Sequence, residues 1–519
     1  MWHRCVRQGN PPWFRENGRA SGQPLHDPSL PPAALEAGQS SRTLPAITGG
    51  MMPFSGECGM KKILLTAVSA FALTTTAYAN SSTSSVTQSS TNNQAYVDQV
   101  AAQTGGSSTI NQTGASNYAK LTQADDATGA NPVQTSNIQQ TGASNSAIVS
   151  QTLETSFNYP PSTKNASTVI QSGNTNATTV TQKDDGQNSY VEQASNGNVA
   201  TVTQGVANSG DSTYENSSSV YQGGNGSHEA TVSQTGYRNG SSVYQIGSNQ
   251  LADVNQSGDN NTAGVVQDGA DNQSFIDQSG GGNQAYTTQG GVKGSISTIT
   301  QIGFSNSASV VQTDDGDGNN PPLNRSTITQ SGNRNSAAVN QNAQTLIIPN
   351  VSTIAQSGNN SAASVTQKDD WQFSDIQQSA SNSSATVVQG VAQSGGSDTS
   401  YGNTSTITQS GSTQLAYVEQ INRSSYSDID QSGSLNSATV LQSGFSGNSD
   451  IDQTGSDNDA LVNQYGTNND AVTYQSGNLN ASTILQGGAN NYANVSQTTN
   501  GNVSFVDQTG TGNIAYVAQ

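Results

Sequence analysis

Few residues in this sequence carry groups that do chemistry, so each can be weighed in turn. Four acidic pairs stand out: Asp125 and Asp126, Asp184 and Asp185, Asp314 and Asp315, Asp369 and Asp370. Carboxylates in Gly- and Asn-rich loops are the raw material of Ca²⁺ sites. The periodic nonapeptide of Ca²⁺-binding β-rolls is absent, and the plainer reading is a solvated acidic loop that limits edge pairing. From Asn80 onward there is one histidine, His228, and no cysteine, which leaves no disulfide framework and no thiol chemistry. The many Ser and Asp have no general base at a distinctive spacing, so no nucleophilic triad can be assembled. The sequence is read as that of a non-enzyme without a cofactor, with His228 as loop decoration.

Composition points the same way. Only 31% of the 519 residues are hydrophobic and 6% aromatic. A chain this polar cannot offset its ordering entropy with a conventional apolar core. It is either disordered or built on a repeat that satisfies its own polar groups. Asn80–Gln519 holds nine Lys and Arg against 31 Asp and Glu, a net charge of −22. That balance disfavours nucleic acid as a partner. No stretch after residue 79 is apolar enough to span a membrane.

The N-terminal region reads differently. Met60–Ala79, "MKKILLTAVSAFALTTTAYA", has the charged, apolar and small-residue regions of a secretory signal peptide, with Ala77 and Ala79 framing the cleavage site. Residues 1–59 hold both cysteines and eight of the 14 prolines, and carry no trace of the repeat that fills the rest of the chain. They are read as a disordered, non-native leader from an over-long gene model, with translation starting at Met60. A peptide from residues 1–59 in the secreted protein would refute this.

The elements that position the remaining residues are set by glutamine. Gln409, Gln420, Gln431, Gln442, Gln453, Gln464, Gln475, Gln486, Gln497, Gln508 and Gln519 are each eleven apart. The beat runs back to Gln88, giving 36 positions and 35 intervals, of which 26 are eleven. Two segment types alternate. One is S-x-[IV]-x-Q, as in Ser427–Gln431. The other is N-x-A-x-V-x-Q, as in Asn436–Gln442 and Asn513–Gln519. Between them come Gly173, Gly332, Gly433 and Gly510 at equivalent places, where a turn with positive φ is expected. Spacing of two within each segment is the period of a strand. Apolar positions do not fall at i, i+3, i+4, which excludes a hendecad coiled coil.

The expected fold is therefore all-β: a two-sided β-solenoid, or cross-β stack, of strand–turn–strand units of about 22 residues. About seventeen units plus two extra strands, ending at Gln267 and Gln475, fill Asn80–Gln519. Inward rows become ladders of Ser, Ile/Val, Ala and Gln at ~4.8 Å spacing. Gln ladders satisfy amides that would otherwise each cost about 1–3 kcal/mol. A slip of one residue would turn the whole inward set outward. Longer connections are expected at one edge. An internal duplication, offset by 185 residues, relates Ser167 onward to Ser352 onward. Asp428 and Asp430, Asp450 and Asp452, and Asp507 fall outward. They are read as gatekeepers that oppose premature assembly. Tyr96, Tyr286, Tyr417, Tyr516, Phe275 and Phe505 also point outward, where β-propensity alone accounts for them.

The motif Q-x-G-x-x-N-x-A-x3-Q, as at Gln431, Gly433, Asn436, Ala438 and Gln442, resembles the curlin repeat. The resemblance covers nearly all of Asn80–Gln519 and recurs some seventeen times. It implies a secreted bacterial subunit of a curli-like amyloid fibre, with further copies of itself as partner. It also implies export through an outer-membrane pore, growth on a surface nucleator, and a role in adhesion and biofilm matrix. The competing expectation is a monomeric secreted β-solenoid adhesin or ice-binding protein. The last unit carries no polar cap, and an open edge that invites another strand is expected there.

Overall fold

The computed structural model describes residues 63–66, 71–76 and 82–519, apart from the connections 101–105, 126–133, 154–163, 206–214, 292–293, 315–323, 344–347 and 391–400. All regular structure among the described residues is β. Each of the 36 glutamines lies in, or directly after, its own strand. Successive strands alternate between two parallel sheets of 18 strands each, wound as a β-solenoid of about 22 residues per turn. One sheet runs from Thr83–Gln88 to Val503–Gln508 and is called the Gln88 sheet. The other runs from Gln94–Val100 to Ile514–Ala518 and is called the Gln99 sheet.

Every strand sits on the next in one register, Gln over Gln and Val or Ile over its equivalent. The burial pattern iBiBiB follows from that register, because alternate residues point to opposite faces. The inward apolar residues are Ala, Val and Ile with the single Leu121, and they form one continuous cluster without an aromatic ring. Small residues are needed four positions before each Gln, because the Gln of the facing sheet reaches that point: Gln171 Nε2 donates to Thr178 Oγ1 at 3.2 Å.

Two further strands, Ile63–Thr66 and Phe71–Thr76, pair antiparallel with Gln94–Val100 and Thr83–Gln88. They fall inside the stretch read as a signal peptide. At the other end, Val503–Gln508 and Ile514–Ala518 each pair on one side only.

The expectation that longer connections share one edge is wrong. Up to Gln222 the wide intervals all run from the Gln99 sheet to the Gln88 sheet: Gln123 to Gln140, Gln151 to Gln171, Gln204 to Gln222. After Gln267 they run the opposite way: Gln312 to Gln330, Gln341 to Gln356, Gln389 to Gln409. The cause is the odd strand Thr262–Ala270, which exchanges the two segment types between sheets. The strand Asp470–Asn478 exchanges them back. At the exchange Ala252 meets Ser274, and Ser241 meets Ala263, in place of like over like. The duplicated blocks consequently face opposite sides: Ser167–Gln171 is in the Gln88 sheet and Ser352–Gln356 in the Gln99 sheet.

Candidate assembly interface

The glutamine side chains form two unbroken columns. From Gln88 to Gln508, each Nε2 donates to the Oε1 of the next Gln at 2.6–2.9 Å. From Gln99 to Gln519 the same bond recurs at 2.7–3.0 Å. The direction never reverses. A second bond fixes it: Nε2 also donates across the core to a backbone carbonyl, as Gln431 does to Leu415 O at 3.0 Å and Gln442 to Tyr426 O at 2.9 Å. A carbonyl only accepts, so a flipped amide would lose that bond. The columns therefore have a sense, with Nε2 donors leading toward the C-terminal rung and Oε1 acceptors toward the N-terminal one. Gln88 is 1% exposed, and its Oε1 has no hydrogen-bond partner.

Asparagine adds a second polar row. The backbone N–H of Asn458 donates to Asn436 Oδ1 at 3.1 Å, and that of Asn513 to Asn491 Oδ1 at 3.0 Å. Asn436 Nδ2 donates back to Ser432 O at 2.8 Å and up to Gly455 O at 3.3 Å. Each turn is thus tied within its rung and to the next one.

The turn glycines serve close approach more than backbone freedom. Gly433 and Gly510 have φ of 98° and 109°, as expected, but Gly173 and Gly332 are not left-handed. What Gly173, Gly332 and Gly433 share is a missing Cβ that would overlap the carbonyl of the rung above: Ser195, Gly358 and Gly455 respectively. At Gly510, on the last rung, only Asn513 Nδ2 lies near, at 3.6 Å from a notional Cβ. The position most often left-handed is the residue before the row Asn, with Lys164 and Pro349 as exceptions. It is filled by Leu435 (φ 60°), Leu479 (60°), Thr175 (57°) and Arg334 (57°), among others. Most of these positions hold Gly, Asn, Ser or Asp, and they escaped the sequence reading because those residues abound throughout the chain.

His228 is not loop decoration. It occupies the Asn position of the row and is 1% exposed. Its N–H donates to Asn198 Oδ1 at 3.0 Å, and Nδ1 accepts the Gln250 N–H at 3.4 Å. Nε2 lies 2.7 Å from the Gly223 carbonyl, which fixes the proton on Nε2. Burial lowers its pKa. The extra residue before it is absorbed by Gly224 and Gly226, both left-handed.

The outward acids stack. Asp428 pairs in register with Asp450, and Asp430 with Asp452. Burial, then Asp452 and Asp428, push Asp450 up to about 6. Burial foremost, with Asp430 beside it, raises Asp428 and Asp452 as well. Asp507 stands over Leu485 instead. Among the acidic pairs, Asp184 and Asp369 hold left-handed turns, and their carbonyls accept Asn165 and Asn350 Nδ2, both at 2.6 Å. Asp370 is fully buried. Asp125 and Asp314 end strands. Asp126, Asp315, Ala77 and Ala79 lie outside the described residues. Among the described residues no group of three or more His, Cys, Asp or Glu could hold a metal ion.

Neighbouring aromatic residues pack on the outer faces. Tyr221 lies directly over Tyr244, with ring centroids 4.9 Å apart and planes 16° from parallel. Tyr96 meets Tyr118 at 5.6 Å, and Tyr492 meets Tyr516 at 5.5 Å.

A model of the curlin-associated repeat matches residues 229–258, 423–455, 433–466, 466–498 and 488–519. The chain carries curlin repeats. The matches fall where the beat of eleven is least interrupted, and together they cover less than half of the chain. Within the matched residues Gln431, Gly433 and Asn436 are a ladder donor, a close-approach glycine and a row asparagine described above. None of the curated proteins matches this chain.

Proposed function

We propose that this protein is a structural subunit of an extracellular, curli-like fibre that grows by templated addition of β-strands. Residues 60–79 would direct export and be removed, and residues 1–59 would form no part of the mature subunit. An outer-membrane pore and a surface nucleator would serve export and growth, as the family suggests. The fibre would serve cell adhesion and biofilm matrix. The role is structural, with Gln and Asn columns as its working parts and no catalytic residue.

One observation carries this reading: every rung presents to its neighbour the same in-register Gln, Asn and backbone groups, so one rung can template the next. Val503–Gln508 and Ile514–Ala518 each pair on one side, and Gln508 and Gln519 keep the cross-core bonds of interior ladder residues, to the Tyr492 and Val503 carbonyls. Unpaired parallel edges of this length template further strands.

Seeding tests the proposal. The purified array from Asn80 is expected to convert, after a lag, to detergent-resistant fibres that bind amyloid dyes. Preformed fragments should abolish the lag. A soluble folded monomer that ignores seeds would overturn the reading and leave a monomeric solenoid.

A further inference from the structure

We infer that successive subunits join in one register, with Tyr516 of one molecule lying on Tyr96 of the next. The junction then carries an unbroken run of four tyrosines: Tyr492, Tyr516, Tyr96 and Tyr118. This inference rests on the fibre reading above and on removal of the strands Ile63–Thr66 and Phe71–Thr76, which occupy the same edge.

The register follows from the inward residues. Every parallel pair in both sheets sets Gln on Gln, so Gln508 must meet Gln88 and Gln519 must meet Gln99. With those two fixed, the other inward positions fall like on like. Ser504 meets Ser84, Val506 meets Val86, Asn513 meets Asn93, Ala515 meets Ala95 and Val517 meets Val97. A shift of one residue would turn this set outward, and a shift of two would set Gln against Val. The ladder sense agrees: the donor of Gln508 reaches Gln88 Oε1, the buried acceptor left without a partner. Joining two like ends would oppose donor to donor.

The outward face then decides what the junction is made of. Asp507 falls on Thr87 and Asp98 under Ala518, so no two acids meet, unlike Asp428 and Asp450 within the chain. Tyr516, 74% exposed, falls on Tyr96. Direct in-register stacking of two tyrosines has its precedent in Tyr221 and Tyr244 at 4.9 Å. The diagonal contacts to Tyr492 and Tyr118 are already in place on either side.

Oxidative cross-linking reads this out. The array from Asn80 holds every residue of the apolar core and is the form to use. Light and ¹⁵N-labelled batches are mixed, assembled, and treated with a peroxidase and hydrogen peroxide. Each phenol gives up one electron and one proton, two phenoxyl radicals couple through a carbon–carbon bond ortho to the hydroxyls, and the peroxide is reduced to water. Mass spectrometry of the peptides is expected to find mixed-isotope links between Tyr516 and Tyr96. Unassembled protein should give none. Tyr96→Phe should cut that link at least tenfold while leaving the internal Tyr221–Tyr244 link as a control. Fibres that show the internal link without Tyr516–Tyr96 would overturn the register and leave the fibre reading intact. Failure to form fibres would overturn both.

Discussion

Asp450 lies one rung above Asp428, paired to it in register on an outward row that is only half exposed. Burial and its acidic neighbours Asp452, Asp428, Asp430 and Asp470 raise Asp450 to about 6. A carboxyl raised in the fold stabilises it when protonated. That contribution is complete below the ordinary carboxylate range and is lost as pH rises through about 6. Thermal unfolding of the array is therefore expected at higher temperature at pH 5 than at pH 7.5, with faster fibre growth. Asp450→Asn should raise stability at neutral pH by ~0.5 kcal/mol, the scale of one like-charge pair across strands. It should also flatten the pH dependence. An unchanged slope in the variant would rule out the acidic stack as its source.

Gln442 shows what one interior ladder position is worth. It accepts from Gln420, donates to Gln464 and donates to the Tyr426 carbonyl. Gln442→Leu removes all three bonds and leaves the buried Gln464 Oε1 without its donor, and is expected to cost about 2–4 kcal/mol in denaturant unfolding. Gln519→Leu removes only the bond from Gln497 Nε2 and the one to the Val503 carbonyl, at an exposed rung, and should cost about 1 kcal/mol or less. Equal losses at both positions would contradict a ladder that gains strength from burial.

Leu479 is 65% exposed and left-handed, with φ of 60°. A side chain with a Cβ pays about 1–2 kcal/mol for that conformation. Glycine removes this strain and returns part of it as unfolded-state entropy, ~0.5–1 kcal/mol. Leu479→Gly should thus raise stability by about 0.5 kcal/mol. Gly433→Ala should destabilise strongly, since its Cβ would overlap the Gly455 carbonyl. The pair of variants, compared by thermal unfolding, separates strain from close approach. Destabilisation by both would remove backbone strain as the explanation at Leu479.

These residues also mark what the sequence could and could not say. Period two and a beat of eleven were enough for strand, register and the inward Gln, because one slip reverses every side chain. The left-handed residue was hidden, since the Gly, Asn, Ser and Asp that mostly fill it abound everywhere in the chain and Leu435, Thr175 and Arg334 break their run. Gly173 and Gly433 looked alike in sequence because close approach and positive φ both select glycine. The crossing of the long connections from one edge to the other is a matter of parity. It was implicit in the single strand ending at Gln267, and became visible only once strands were assigned to sheets. His228 looked like an exception to the pattern because its ring does the hydrogen bonding of an asparagine without resembling one.

His228 supplies the last test. Its buried ring is held neutral by Nε2–H on the Gly223 carbonyl and Nδ1 accepting from Gln250. Burial depresses the folded pKa below the ordinary histidine value. The stability it contributes is present above that ordinary value, and is lost as pH falls through the depressed one. This opposes the acidic stack, so the gain on acidification should fade at the lowest pH. His228→Asn keeps an acceptor for the Gln250 N–H and a donor for the turn, and has no proton to take up. The variant should match the wild type or fall slightly below it at neutral pH, because the smaller side chain fills less space. Its stability relative to wild type should then climb as pH drops toward 4. A constant offset at every pH, measured by thermal unfolding, would show that the ring takes up its proton in the fold as readily as in the unfolded chain, and that burial does not depress it.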